Sequence, residues 1–317
     1  MSRNGPLALA FHGLFIAFIL APLVVVVLVS FTDKGFMAMP FDGASLRWYR
    51  AIAGNPQFLD SFWVSLRLGL VSATLSALIA VPAALAIARG RFPGRDAIAA
   101  FLVSPLMIPH VVLGVALLRF FSGLGLAGSF AGLVAAHLIV VTPYMVRLVT
   151  AGLAGLDPRV ERAAESLGAG RATVFRRITL PLILPGVAGG WILAFITSFD
   201  ELTVSLFLAS PSSTPLPVRL FTYIDQMTDP LVAAVSAALI GLTALVLVVL
   251  DRFYPIDRLL TGSAGDAGRD VRRRAVPGAR LRLSPGPPIR QEPGQTYTFD
   301  PGPSVRWLSL WPDRAEG

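Results

Sequence analysis

Asp157-Pro158-Arg159-Val160-Glu161-Arg162-Ala163-Ala164-Glu165-Ser166-Leu167-Gly168 is a polar stretch set between two long apolar runs, Phe130 to Val149 and Leu180 to Phe199. Its chemistry reads as a short helix with both ends fixed. Asp157 offers an N-cap acceptor, and Pro158 suits the first helical position, where no N–H is needed. Glu161 places negative charge near the positive end of the helix dipole. Val160, Ala163, Ala164 and Leu167 recur at helical spacing and make a narrow apolar face. Gly168 is placed to end the helix in a left-handed conformation. A second short helix is expected from about Arg171 to Ile178, with Val174, Phe175 and Ile178 on one side, and Pro181 at the boundary with the next apolar run. Two uses fit such a knob. Small alanines let a soluble partner approach closely, with arginines at the rim. Equally, the helix could lie on a membrane with its arginines toward lipid phosphates.

Working outward, the runs on either side set the fold class. Of 317 residues 54% are hydrophobic and only 15% charged, with a mean hydropathy of +0.68. Soluble domains hold about 25% charged residues, so lipid is the implied solvent. A spanning helix needs roughly 20 apolar residues. Six stretches qualify: Leu7 to Phe31, Leu68 to Ala88, Ala97 to Leu118, Phe130 to Val149, Leu180 to Phe199, and Leu231 to Leu250. The expected fold is therefore an all-α membrane protein of about six transmembrane helices. The first run is longer than a signal-peptide core and has no small-residue cleavage site after it, so it is read as a span. Pro22, Pro82, Pro105, Pro109, Pro143, Pro181 and Pro185 fall in the spans and are expected to bend them. The segment Phe36 to Phe62 carries Trp48, Tyr49 and Phe58, which with Trp63 suit a membrane interface.

The net charge of +8 is almost all arginine, since Lys34 is the only lysine. The arginines crowd three loops rather than one face, which fits membrane topology better than nucleic acid. Arg89, Arg91 and Arg95 follow the second span. Arg159, Arg162, Arg171, Arg176 and Arg177 follow the fourth, and Arg252 and Arg258 the sixth. Both termini are thus expected in the cytoplasm. Residues 1–261 read as the membrane domain, with a loop at 151–179. Residues 262–317 read as a disordered Pro/Gly/Arg-rich cytoplasmic tail, in which Arg272, Arg273 and Arg274 could meet anionic lipid. Absence of cysteine removes disulfides, thiolate zinc sites and cysteine nucleophiles from consideration. No nucleophile–base constellation appears in the spans, and no histidine pair has metal-ligand spacing, so neither an enzyme nor a metal site is expected. His110 and His137 read as hydrogen-bonding partners in helix packing, and Gly186 with Gly190 as a close-packing pair.

The run Arg162-Ala163-Ala164, three residues, Gly168, nine residues, then Ile178-Thr179-Leu180-Pro181 resembles the signature of ABC-type importer permeases. That signature begins Glu-Ala-Ala, so Arg162 stands where the family has glutamate, flanked by Glu161 and Glu165. Gly170-Arg171 replaces a common Ser-Pro. The resemblance runs from the first span to about Leu260. Within the superfamily it is most similar to the second permease of spermidine/putrescine importers, on Gly190-Trp191-Ile192-Leu193-Ala194-Phe195, Ser198-Phe199-Asp200-Glu201, Val204-Ser205, Ser210-Pro211 and Leu216-Pro217. It implies a type I ABC importer permease with a cytoplasmic coupling helix in an inner membrane. It also implies a partner permease, two ATPase subunits and an extracytoplasmic solute-binding protein.

From the resemblance, Glu161, Arg162, Ala163, Ala164, Glu165, Gly168, Phe175, Arg176 and Arg177 are the expected ATPase-coupling residues. This chain has no G-x-x-x-x-G-K-[ST] loop, so ATP is expected on the partner and no cofactor here. Asp200 and Glu201, with Ser198 and Trp191 in the same run, are the candidate substrate-pathway residues. Carboxylates facing a pathway would suit a polyamine such as spermidine or putrescine. The competing reading has them cap the fifth span. Related importers take iron, thiamine or other organic ions. A secondary transporter would call for inverted repeats, and no convincing repeat is present.

Overall fold

Helices account for the regular structure throughout the residues that the computed structural model describes, 5–40 and 43–253, and no strand occurs among them. The expected tail at 262–317, with Arg258 and Arg272 to Arg274, lies outside the described residues. Twelve α-helices follow in order. They are α1 (Pro6–Val29), α2 (Arg47–Ala53), α3 (Pro56–Arg89), α4 (Arg95–Val103), α5 (His110–Gly123), α6 (Phe130–Ala154), α7 (Pro158–Ser166), α8 (Arg171–Val174), α9 (Leu180–Phe199), α10 (Thr203–Leu208), α11 (Leu216–Gln226) and α12 (Leu231–Phe253).

Four helical stretches are long and apolar enough to span a membrane: Leu7–Val29, Pro56–Arg89, Phe130–Ala154 and Arg171–Phe199. The expected third span is not one rod. It is two pieces, Arg95–Met107 and α5, bent by 108° at Ile108-Pro109 and counted as a fifth span only if the pair is taken together. Helix α12 spans 23 residues, Leu231–Phe253, and carries an apolar stretch from Leu231 among the described residues. Six is therefore an approximate number.

Prolines mark the bend without alone determining it, since Pro181 and Pro185, also four residues apart, lie in one continuous helical stretch. Pro22, Pro82, Pro143 and Pro185 each stay inside an α-helix. Pro105 and Pro109 fall a turn apart, and each removes a donor. The chain tightens into a 3-10 turn over Ser104–Met107, and Ile108, held by the following proline, is extended at φ −90°, ψ 126°. Pro181 acts differently. Its ring excludes the carbonyl four residues back, and the helix answers with a π turn over Phe175–Thr179, where the Leu180 N–H reaches the Phe175 oxygen. The expected separate helix at Arg171 to Ile178 is thus the first part of a continuous Arg171–Phe199 rod.

The core sits between α3, α6 and α9. Leu68, Leu133, Val141 and Ala194 are buried at one end, Ala80, Met145, Val149 and Ile183 at the other. Without a hydrophobic drive between helices in lipid, close approach and short polar bonds hold such bundles. Both are present. A Cβ on Gly186 would lie 3.0 Å from the Leu148 carbonyl oxygen, and one on Gly190 2.6 Å from Met145 Sδ. Ser76 Oγ donates to Thr142 Oγ1 at 3.3 Å, and Ser65 Oγ accepts from the Leu216 N–H at 2.8 Å. The expected interface aromatics divide: Trp48 and Phe58 are buried with Leu216, Leu231 and Val235, whereas Trp63 stays exposed. Along α1 the large apolar side chains from Leu7 to Leu28 are exposed, as a lipid-facing helix requires.

Candidate functional site

Helix α7 is fixed at both ends as its sequence chemistry dictates. The Asp157 carboxylate accepts from the Arg159 N–H at 2.9 Å, with Pro158 in the first turn. At the other end Gly168 has φ +87°. The Ala169 N–H bonds the Ala164 oxygen and the Gly168 N–H the Glu165 oxygen, a complete Schellman closure. Its two faces have different fates. Pro158, Glu161, Arg162 and Glu165 line a groove against the chain's own α3–α4 connection. By the helical period, Val160, Ala163, Ala164 and Leu167 lie on the opposite side. There Val160 is 44% and Leu167 90% exposed, Ala163 is exposed, and Ala164 is half-buried.

Glu161 does more than face the dipole. Its Oε2 lies 3.0 Å from Arg89 Nε at the end of α3. Its Oε1 accepts from the Thr179 hydroxyl at 2.8 Å, in the π turn that begins the α9 rod. Arg89 Nη2 also donates to the Leu156 carbonyl at 3.3 Å. One carboxylate thus joins α7 to two spans. Among the described residues the Arg162 side chain donates only to the Pro158 carbonyl, and Arg176 and Arg177 are exposed. Phe175 is half-buried against the groove.

The candidate pathway residues separate into three environments. Glu201 is buried; its Oε1 accepts from the Val204 N–H at 2.8 Å, and its Oε2 lies 3.2 Å from His110 Nδ1. It therefore caps, though at the start of α10 rather than the end of the fifth span, and it ties that start to α5. Ser198 is buried beside His137, whose two ring nitrogens lie 2.7 Å from Ser198 Oγ and 2.9 Å from Ser205 Oγ. Trp191 is half-buried, its indole N–H donating to Thr74 Oγ1 at 3.2 Å and its ring stacked on Phe195 with centroids 5.8 Å apart. Asp200 alone of the four is exposed, and its carboxylate has no hydrogen bond or ion pair among the described residues. Among the described residues no side-chain hydrogen bond joins it to any of the other three. Sequence reading missed Arg89 and Thr179 as partners of Glu161. The local signal, an arginine ending a span and a threonine before Ile-x-Leu-Pro's proline, carries no pairing information.

No group of three or more His, Cys, Asp or Glu residues that could hold a metal occurs among the described residues.

Residues 77–256 match the family described as binding-protein-dependent transport system inner membrane component. The chain is 32% identical over 250 residues to the spermidine/putrescine transport system permease protein PotC of Escherichia coli K12, covering 79% of this chain and 94% of that protein. It is 31% identical over 236 residues to the putrescine transport system permease protein PotI of the same organism, covering 72% and 84%. Among solved structures, a bacterial ABC transporter involved in import of the acidic polysaccharide alginate superposes with a TM-score of 0.62 at 16% identity, covering 80% of this chain and 99% of that chain. At that identity the likeness speaks for the fold alone.

Proposed function

The chain belongs to the binding-protein-dependent transport system inner membrane components, and on that premise we propose that it carries a small cationic solute, a polyamine such as spermidine or putrescine, inward across the cytoplasmic membrane. It is an ABC importer permease subunit. Its partners in this reading are ATPase subunits, a second permease and an extracytoplasmic solute-binding protein, with ATP bound and hydrolysed by the ATPase. Both termini are cytoplasmic in the same reading, which follows the arginine-rich loops.

A single observation carries the mechanism: α7 presents a largely exposed apolar face while its opposite face is tied through Glu161 to α3 and α9. A soluble ATPase that seats Val160, Ala163, Ala164 and Leu167 moves α7 as a unit. The Arg89–Glu161–Thr179 contacts carry that motion into two spans, and the bundle shifts between inward- and outward-open populations. The shift needs contacts that differ between the two states, which a link spanning three helices can supply. Ala163 and Ala164 allow close approach, and exposed Arg176 and Arg177 serve the rim. On the solute side Asp200 offers a carboxylate to an ammonium group by a charge-assisted hydrogen bond.

Uptake of labelled spermidine in cells with and without this chain tests the assignment. Loss of uptake on deletion, restored by the wild-type chain and not by Asp200→Asn, is the expected result. Unchanged spermidine uptake together with lost iron or thiamine uptake would assign another solute to the same importer.

A further inference from the structure

The groove on the inward face of α7 is large and strongly basic; the coupling link occupies part of its wall through Arg89, Glu161 and Thr179, and its remaining arginines Arg91, Arg95 and Arg171 serve neither coupling nor solute passage. Its cavity is about 1010 Å³. Arg89, Arg91 and Arg95 from the α3–α4 connection line one wall, and Arg162 and Arg171 the other, against two carboxylates, Glu161 and Glu165. Arg89 is held by Glu161, and Arg95 pairs with its exposed neighbour Asp96 at 3.2 Å. Arg91, Arg162 and Arg171 have no ion pair among the described residues. Guanidinium groups converging on one cavity match the oxygens of a phosphate by bidentate hydrogen bonds.

We propose that this groove binds the phosphate head group of an anionic phospholipid. Two features favour lipid over a free phosphate. The groove lies at Arg89, the last residue of α3, where the apolar run of that helix ends. Beside it Phe92, Ile98 and Phe101 expose apolar side chains, at 37%, 47% and 75%, where acyl chains would lie. Basic pockets between helices on the cytoplasmic side recognise such head groups. Because the lining face of α7 is opposite the apolar one, the site does not compete for the surface assigned to the ATPase.

The test uses the full chain purified in detergent, offered phosphatidylglycerol or phosphatidylcholine and read by native mass spectrometry. Wild type retains phosphatidylglycerol and not phosphatidylcholine. Each arginine at an anionic surface multiplies affinity about fivefold, so R91Q/R95Q/R171Q loses retention by on the order of a hundredfold. Arg252→Gln, an exposed arginine outside the groove, keeps it. Equal loss in the triple variant and in Arg252→Gln would reduce the effect to general surface charge and overturn the proposal. So would displacement of the lipid by equimolar inorganic phosphate, which marks a soluble-anion site. If the triple variant is not folded, Arg91→Gln alone is expected to weaken retention about fivefold, and no change would overturn the proposal.

Discussion

Removing the Glu161 carboxylate severs α7 from α3 and from the start of the α9 rod at once. At 3.0 Å from Arg89 Nε, with an effective dielectric of about 20, the gross attraction is about 5 kcal/mol. Desolvation offsets much of it. The two side chains are 28% and 15% exposed, between the open pairs worth about 0.2–1 kcal/mol and the buried ones that cost about 3–5 kcal/mol to break. The expected cost of Glu161→Ala is therefore about 2–3 kcal/mol, including the Thr179 hydroxyl left without its acceptor. Glu161→Gln keeps the shape and an acceptor for Thr179, so it should cost less. In a bundle of this size about 1 kcal/mol moves the melting midpoint by roughly 2–4 °C. Thermal unfolding of the detergent-purified chain should then show a fall of roughly 4–12 °C for Glu161→Ala. The decisive measurement is a double-mutant cycle with Arg89→Ala. Arg89 alone is an orphan charge once Glu161 is gone, so the double variant should be more stable than the sum of single losses predicts, by about 1–3 kcal/mol. Additivity within about 0.5 kcal/mol would refute the link.

On the outward face, Leu167→Glu should leave insertion and melting unchanged, and Ala164→Arg, at a half-buried position, should leave insertion unchanged; both should abolish solute-stimulated ATP hydrolysis by the reconstituted importer, and normal stimulation would remove α7 as the docking element. Gly168→Ala forces a Cβ into a left-handed residue and should cost about 1–2 kcal/mol, read as a lower melting midpoint. Glu201→Gln should lower stability, since the carboxylate near His110 Nδ1 is lost, whereas Asp200→Asn should lower uptake alone. Burial first, and then the hydrogen bond to Asp229, push Tyr223 from 10.0 up to about 12. Any stability from that contact is present below pH 10 and is lost as pH rises through about 12. Ultraviolet titration of Tyr223→Phe against wild type should show one late-titrating tyrosine removed.

What could be read in advance follows the range of the interactions. Asp157, Pro158 and Gly168 were legible because capping and left-handed closure are settled within a few residues. The spans were legible because their apolar content is local too. The broken third span was not, since seven prolines look alike in sequence. Pro105 and Pro109 break their rod, while Pro181 and Pro185 at the same four-residue spacing leave theirs continuous. Pro181 is absorbed by a π turn, a solution that residue type does not announce. Glu161 reads locally as a dipole partner, but its strongest contacts come from Arg89 and Thr179, 72 and 18 positions away. Ser198 and Glu201 look like pathway residues by position. Their commitments, to His137 and to His110 with the Val204 N–H, depend on which helices meet.

The opposed faces of α7 respond to solution conditions in opposite ways. Contact through Val160, Ala163, Ala164 and Leu167 carries no charge, so ionic strength has little hold on it, and it weakens on cooling as apolar burial does. The arginine-lined groove behind it is the reverse, screened by salt within about 10 Å at 0.1 M. A nine-residue helix thus separates a temperature-dependent grip from a salt-dependent one, and a titration of each variable alone reports on one side of it.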